Sequence, residues 1–72
     1  MKYCEIFLRS GGSITTTEME EDEAAKLQMA FKEQAPGILE FKDDVGVLLL
    51  RMADIICVCC NDEQAIKTAG FT

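Results

Sequence analysis

Two hydrophobic runs decide the fold of this chain: Val47-Leu48-Leu49-Leu50 and Ile55-Ile56-Cys57-Val58-Cys59-Cys60. A strand with one face in water alternates apolar and polar side chains, and neither run alternates in this way. Both strands are therefore predicted to be buried on both faces. One substantial helix covers only one face of a small sheet, so something else must cover the second: another copy, a foreign partner, a ligand or the short tail.

Three further strands are predicted upstream of the two runs. The first covers Tyr3–Leu8. It leads into residues 10–13, whose two glycines suit the positive φ angles of a tight hairpin turn. A short β-branched strand returns over residues 14–17. The third strand covers Ile38–Lys42, and residues 43–46 have the composition of a turn that leads into the first run.

One long helix is predicted over residues 18–34. The segment Thr17-Glu18-Met19-Glu20 has the pattern of a capping box, in which the Thr17 hydroxyl and the Glu20 carboxylate satisfy free backbone N–H groups. Pro36-Gly37 ends the helix. The apolar residues at helical spacing form one stripe: Met19, Ala24, Leu27, Ala30, Phe31 and Ala35. A second, short helix is predicted in the tail, through residue 69.

The predicted order is β-β-α-β-β-β, which is an α+β fold in a single domain over residues 1–72. We expect one mostly antiparallel sheet with the main helix packed on one face and a possible short C-terminal helix. The order, with residues 41–50 followed by residues 53–56, resembles in plan several small bacterial and phage proteins. This resemblance includes no diagnostic motif and implies no functional residue.

Charge and composition exclude several classes of function. The 72 residues carry a net charge of −6, which disfavours nucleic acid and anionic membranes as partners. No apolar segment reaches the roughly 18 residues of a membrane span. Glu5 and Arg9 interrupt any signal-peptide pattern near the N-terminus. We therefore expect a cytoplasmic protein, in which the four cysteines are reduced thiols.

The cysteines of the last run are predicted to be small buried packing groups on a central strand. Cys57 and Cys59 would share one face, and Cys60 would share the other with Ile56 and Val58. The chain has no histidine, so we predict no metal and no cofactor. A metal site built from the cysteines of two chains, or a redox role, stays open as an alternative.

Other side chains are candidates for binding. An acidic run opens the helix, and it serves either to compensate the helix dipole or to meet a basic partner surface. Met29 lies outside the apolar stripe, and methionine is favoured on adaptable binding surfaces. Arg9, Arg51 and residues 15–17 are the polar groups available to a small ligand. The candidate residues of the acidic run are Glu20, Glu21, Asp22 and Glu23.

No catalytic constellation is present, and we predict that the protein is not an enzyme. The sequence favours a small acidic interaction protein that forms a dimer or higher homo-oligomer through an apolar sheet face and binds another protein. The predicted oligomer interface comprises Val47, Leu49, Cys57 and Cys59. The alternative is a phage-type inhibitor or anti-defence protein, which binds a host enzyme through the acidic run or sequesters a small signalling ligand.

Overall fold

The structure, a computed structural model, describes residues 1–62. It contains the five predicted strands and the main helix in the predicted order, so the α+β class is confirmed. The predicted tail helix through residue 69 lies outside the described residues. The elements are β1 (Tyr3–Leu8), β2 (Ser13–Thr15), α1 (Glu21–Glu33), β3 (Ile38–Lys42), β4 (Val47–Arg51) and β5 (Ile55–Asn61).

The strands form two antiparallel sheets, where a single sheet was expected. One sheet has the order β2-β1-β5, and the other is the β3-β4 hairpin. The cause is a turn of 3-10 helix between β4 and β5, Met52–Asp54. The Met52 side chain is fully buried at this corner, and the Arg9 N–H donates to the Asp54 carbonyl at 2.8 Å. The corner starts β5 beside β1, so within residues 1–62 β5 is an edge strand rather than the central strand expected.

The β1-β2 hairpin forms where the glycines predicted it, with one difference. The Leu8 N–H donates to the Gly12 carbonyl at 2.8 Å and closes the loop. Gly11 has a φ of 108°, whereas Gly12 does not have a positive φ. One glycine therefore carries the left-handed conformation of the turn, where two were expected.

The helix begins at Glu21, three residues after the predicted start, and the capping box does not form. Glu20 is the N-cap residue and makes no side-chain capping bond. Met19 instead has extended backbone: it exchanges two hydrogen bonds with Lys2, at 2.8 and 2.9 Å. Its side chain is completely buried. Because burial of Met19 in the core requires that extended segment, tertiary packing overrides the local capping signal.

A single core lies between α1 and the inner faces of both sheets. Ala24, Leu27 and Ala30 of the predicted stripe are buried, and Phe31 and Ala35 pack at the margin. The other buried apolar residues are Cys4, Ile6, Met19, Phe41, Leu50, Met52 and Ile55. Gln34 caps the C-terminus of the helix: it has a left-handed conformation, and its N–H donates to the carbonyls of Ala30 and Phe31.

Two carboxylates hold the second sheet to the rest of the molecule. Asp43 accepts from the Thr17 N–H at 3.2 Å and from the N–H groups of Val45 and Gly46 at 3.1 and 2.9 Å. Partial burial alone would raise the pKa of Asp43, but these hydrogen bonds outweigh it and lower the pKa. Glu23 accepts from the Lys42 N–H at 2.9 Å, and this bond is the main reason that the pKa of Glu23 is also lowered.

We predict that Asp43→Ala lowers the free energy of unfolding by about 1–2 kcal/mol at pH 7, because three backbone donors lose a charged acceptor that is only partly buried. The folded-state pKa of Asp43 is lowered. The Asp43 carboxylate therefore contributes to the free energy of unfolding at pH values above its unfolded-state pKa of about 3.9. This contribution is lost as the pH falls through the lower pKa of the folded state. Urea denaturation across pH 2.5–7 measures this, and we expect the two curves to converge in acid.

Asp44→Ala is the matched control for this experiment. It removes the adjacent carboxylate but keeps the bond from the Asp44 N–H to the Glu18 carbonyl, 2.7 Å long. Equal losses from the two variants would show that general charge, and not the hydrogen bonds of Asp43, produces the effect.

Cys4 and Cys60 form a disulfide, so the expectation of reduced thiols is wrong for these two residues. The register of β1 and β5 places them directly opposite each other, with their Cα atoms 4.1 Å apart. Cys4 donates its N–H to the Thr16 hydroxyl and accepts from the Thr16 N–H with its carbonyl. Both of its backbone groups thus point toward β2, so Cys4 and Cys60 form a narrow, non-hydrogen-bonded pair across the strands.

We expect the double substitution of Cys4 and Cys60 by Ala to lower the free energy of unfolding by about 4 kcal/mol. The bond spans 56 residues, and closing a loop of that length removes much of the entropy of the unfolded chain. Urea denaturation under non-reducing conditions measures the difference. The control replaces the two free cysteines, Cys57 and Cys59, by Ser. A loss of stability in the control as large as that in the test variant would contradict the prediction.

Candidate functional site

The outer side of the β3-β4 hairpin carries apolar side chains in solvent. We call this surface the hairpin face; its residues are Ile38, Glu40, Lys42, Val47, Leu49 and Arg51. Ile38, Val47 and Leu49 are 60%, 57% and 66% exposed, while Phe41 and Leu50 between them point into the core. The first hydrophobic run is therefore covered on one side only by the described part of the chain.

The charges of the hairpin face differ from those of the protein as a whole. Lys42 and Arg51 supply two positive charges and Glu40 one negative charge, which gives a local balance of +1 against −6 for the chain. The strand register pairs each apolar residue with a charged one: Ile38 with Arg51, Glu40 with Leu49 and Lys42 with Val47. An acidic protein surface can approach this face without the repulsion that the rest of the molecule offers.

A cleft of about 440 Å³ lies between the β1-β2 loop and β4. We call it the arginine cleft, because Arg9 and Arg51 both line it. Arg9 is held in place by a bond from its Nε to the Ala53 carbonyl at 3.2 Å, and Arg51 lies 3.6 Å from the Asp54 carboxylate. The remaining lining residues are Leu8, Ser10, Ile14, Leu49, Leu50, Asp54 and Ile55.

The arginine cleft brings together two of the groups that the sequence offered to a small ligand, Arg9 and Arg51. Residues 15–17, the third group offered, do not line it. Thr16 is buried, and its hydroxyl accepts from the Cys4 N–H. Leu49 belongs to both the cleft and the hairpin face, so the two surfaces are continuous.

The acidic run is divided between structural and exposed carboxylates. The Glu23 carboxylate accepts a hydrogen bond from the Lys42 N–H and lies 3.2 Å from the Lys26 ammonium, so both of its oxygen atoms already have partners within the fold. Glu20, Glu21 and Asp22 are exposed at the start of α1. Met29 is also exposed, on the same helix. The first three carboxylates stay available to a partner, and Glu23 serves the packing of α1 on β3.

Cys57 and Cys59 lie on the outer side of β5 as free cysteines, with their sulfur atoms 3.7 Å apart. The hydrogen bond between them is the main reason that the pKa of the Cys59 thiol is raised, and partial burial and nearby Glu5 raise it further. A raised pKa keeps the Cys59 thiol protonated at neutral pH, which makes it a poor nucleophile.

Because of a β-bulge, some residues of β5 lie on a different face of the strand from the one predicted. Phe7 pairs with Cys57 and Leu8 with Ile55, which leaves Ile56 as an extra residue. Ile55 is 2% exposed and Ile56 is 55% exposed. The prediction that Ile56 faces the same way as Cys60 is therefore wrong, because simple alternation does not hold across the bulge.

The four residues of the predicted interface lie on two different sheets. Val47 and Leu49 are on the hairpin face, whereas Cys57 and Cys59 are on β5 of the three-stranded sheet. Ile38 was not among the predicted binding residues, although strand alternation puts it on one side of β3 with Glu40 and Lys42. An isoleucine on that otherwise charged side was the signal that could have identified it.

Among residues 1–62, no cluster of three or more histidine, cysteine, aspartate or glutamate side chains is placed to hold a metal ion. The helices in the same part of the chain are too short or too polar to cross a membrane. No protein-family model, curated protein or solved structure matches this sequence.

Proposed function

We propose that this protein is a small, non-catalytic interaction protein. It associates with itself, and it uses the hairpin face to bind another protein. The observation that supports the binding surface is the exposure of Ile38, Val47 and Leu49 side by side on one hairpin. Burying each of these side chains against a partner contributes about 1–2 kcal/mol, less than full burial because part of each is already covered.

The charge pattern supports an acidic partner surface beside this apolar patch. Lys42 and Arg51 flank the three aliphatic residues, and opposite charges across an interface speed association and fix its register. Val45, which is 78% exposed at the hairpin turn, extends the patch at one end. The exposed carboxylates of Glu20, Glu21 and Asp22 are a second, electrostatic contact region in this proposal.

Leu49→Lys should reduce capture of the partner at least tenfold in pull-downs from a lysate of the source cells. The substitution removes an apolar contact and places an ammonium group in the interface, and each 1.4 kcal/mol corresponds to a factor of ten. Quantitative mass spectrometry compares the proteins retained by each bait. Glu40→Gln, on the same face, is the control that keeps the aliphatic side chains. If Leu49→Lys retains the same proteins as the wild type, the hairpin face is not the binding surface.

A second candidate function is binding of a small anionic ligand in the arginine cleft. Its volume of about 440 Å³ falls within the roughly 300–1,000 Å³ of ligand pockets. The cleft combines apolar walls with two guanidinium groups, which bind carboxylate and phosphate in a forked geometry. This combination suits a ligand with a phosphate and an apolar or planar part, such as a nucleotide.

Thermal denaturation with a panel of nucleoside monophosphates tests this candidate. A nucleotide at a hundredfold excess over its dissociation constant adds about 2.7 kcal/mol to the free energy of unfolding. Arg51→Gln should abolish the increase in melting temperature, because it removes a cleft cation whose only bond in residues 1–62 is the ion pair with Asp54. Lys42→Gln removes a cation outside the cleft and should keep the increase. Equal responses from both variants would contradict a cleft site.

The cytoplasmic location expected from the sequence stays a prediction. The Cys4–Cys60 disulfide favours an oxidising compartment over the cytosol, because stable disulfides are typical of oxidising compartments and rare in the cytosol. A cytoplasmic protein would hold this pair reduced and lose the stability that the bond supplies.

A further inference from the structure

The outer edge of β5 presents backbone groups that have no partner within residues 1–62. β5 pairs with β1 alone there. Cys4 and Cys60 form a narrow pair, as the bonds of Cys4 to Thr16 show. In an antiparallel ladder the pairs alternate, so the N–H and C=O groups of Val58 and Cys60 point away from β1. A row of such groups is a template for another strand.

Features that usually protect an edge strand are missing from most of β5. The six residues from Ile55 to Cys60 include no charged residue and no proline, and both are common devices against strand addition. The bulge at Ile56 disrupts one end of the strand. From Cys57 to Asn61 the register with β1 is regular, which leaves a straight edge of five residues.

The sequence of this edge favours a second copy of the chain as its occupant. Cys57-Val58-Cys59 reads the same in both directions, so antiparallel pairing about Val58 places Cys57 of each copy opposite Cys59 of the other. The net charge of −6 opposes self-association over most of the surface. The strand itself carries no charge between Ile55 and Asn61, so the repulsion is weakest along this edge.

We propose that β5 pairs antiparallel with β5 of a second copy about a two-fold axis at Val58, which joins two three-stranded sheets into one sheet of six strands. The outward backbone groups of Val58 form the hydrogen-bonded pair at the axis. Cys57 and the opposing Cys59 then form narrow pairs, the same type of pair that carries the Cys4–Cys60 disulfide. The inference deepens the self-association in the proposed function and does not depend on the hairpin face.

A charge exchange at positions 57 and 59 tests both the surface and the register. Light scattering should give about twice the 8.0 kDa of the chain for the wild type. C57K/C59K places lysine opposite lysine in both narrow pairs and should yield a monomer, because like charges directly opposite are destabilising. C57K/C59E places lysine opposite glutamate and should stay a dimer. A wild-type monomer, or equal masses for the two variants, would overturn the proposal.

Cross-linking of single-thiol variants gives an independent test. C57S keeps Cys59 and C59S keeps Cys57, so only a mixture of the two contains opposed thiols. With dithiodipyridine as oxidant, one thiol attacks the reagent and releases one pyridinethione, and the second thiol attacks the resulting mixed disulfide and releases the other pyridinethione. Two thiols lose two electrons and two protons, and the reagent is reduced to two pyridinethiones. We expect a 16 kDa band, twice the 8.0 kDa of one chain, in the mixture and in neither variant alone.

The remaining controls separate this surface from the hairpin face. Circular dichroism and mass spectrometry confirm that each variant keeps its fold and its Cys4–Cys60 bond. L49K should leave the dimer mass unchanged even where it abolishes capture of the partner protein. If L49K dissociates the dimer and C57K/C59K does not, self-association occurs through the hairpin face and the β5 proposal is wrong. Cross-linking that is equal in the mixture and in the separate variants contradicts the proposed register.

Discussion

The corner at Met52–Asp54 is the constraint on which the rest of this structure depends. Burial of the Met52 side chain fixes the place where the chain leaves β4. The Asp54 and Ala53 carbonyls accept from the backbone N–H and the Nε of Arg9, which ties the corner to the end of β1. Because β5 starts here, it pairs with β1 instead of continuing the β3-β4 hairpin, and two sheets form around one core.

The surfaces of the molecule follow from that corner. The hairpin has no third strand among residues 1–62, and its outer side keeps Leu49 and its neighbours in solvent. The arginine cleft exists because the corner brings Arg9 and Arg51 to the same place. In the described part of the chain, the same change of direction leaves β5 at the edge of its sheet. An apolar face and an open edge are both costly to expose in a chain of 72 residues, and the association that we propose would relieve both costs.

Local patterns predicted the elements well, and long-range packing decided what they did not predict. Strand alternation puts Phe41 and Glu40 on opposite faces of β3, and helical spacing put Leu27 in the apolar stripe. In the structure Phe41 and Leu27 are buried and Glu40 is exposed. The capping box was wrong because core burial of Met19 outweighs the two side-chain bonds of the box. The faces of β5 were wrong because a single extra residue at the Ile56 bulge inverts the alternation, and a bulge depends on the partner strand.

The element order, the helix stripe and the excess of apolar surface over what one helix covers could be predicted from the sequence. These properties depend on spacing and composition, which are local. Three features emerged only in the folded chain: the two hydrophobic runs belong to different sheets, Cys4 meets Cys60, and Arg9 meets Arg51. Each of these pairings joins residues more than 40 positions apart, and no short-range preference records which strand a distant segment will choose.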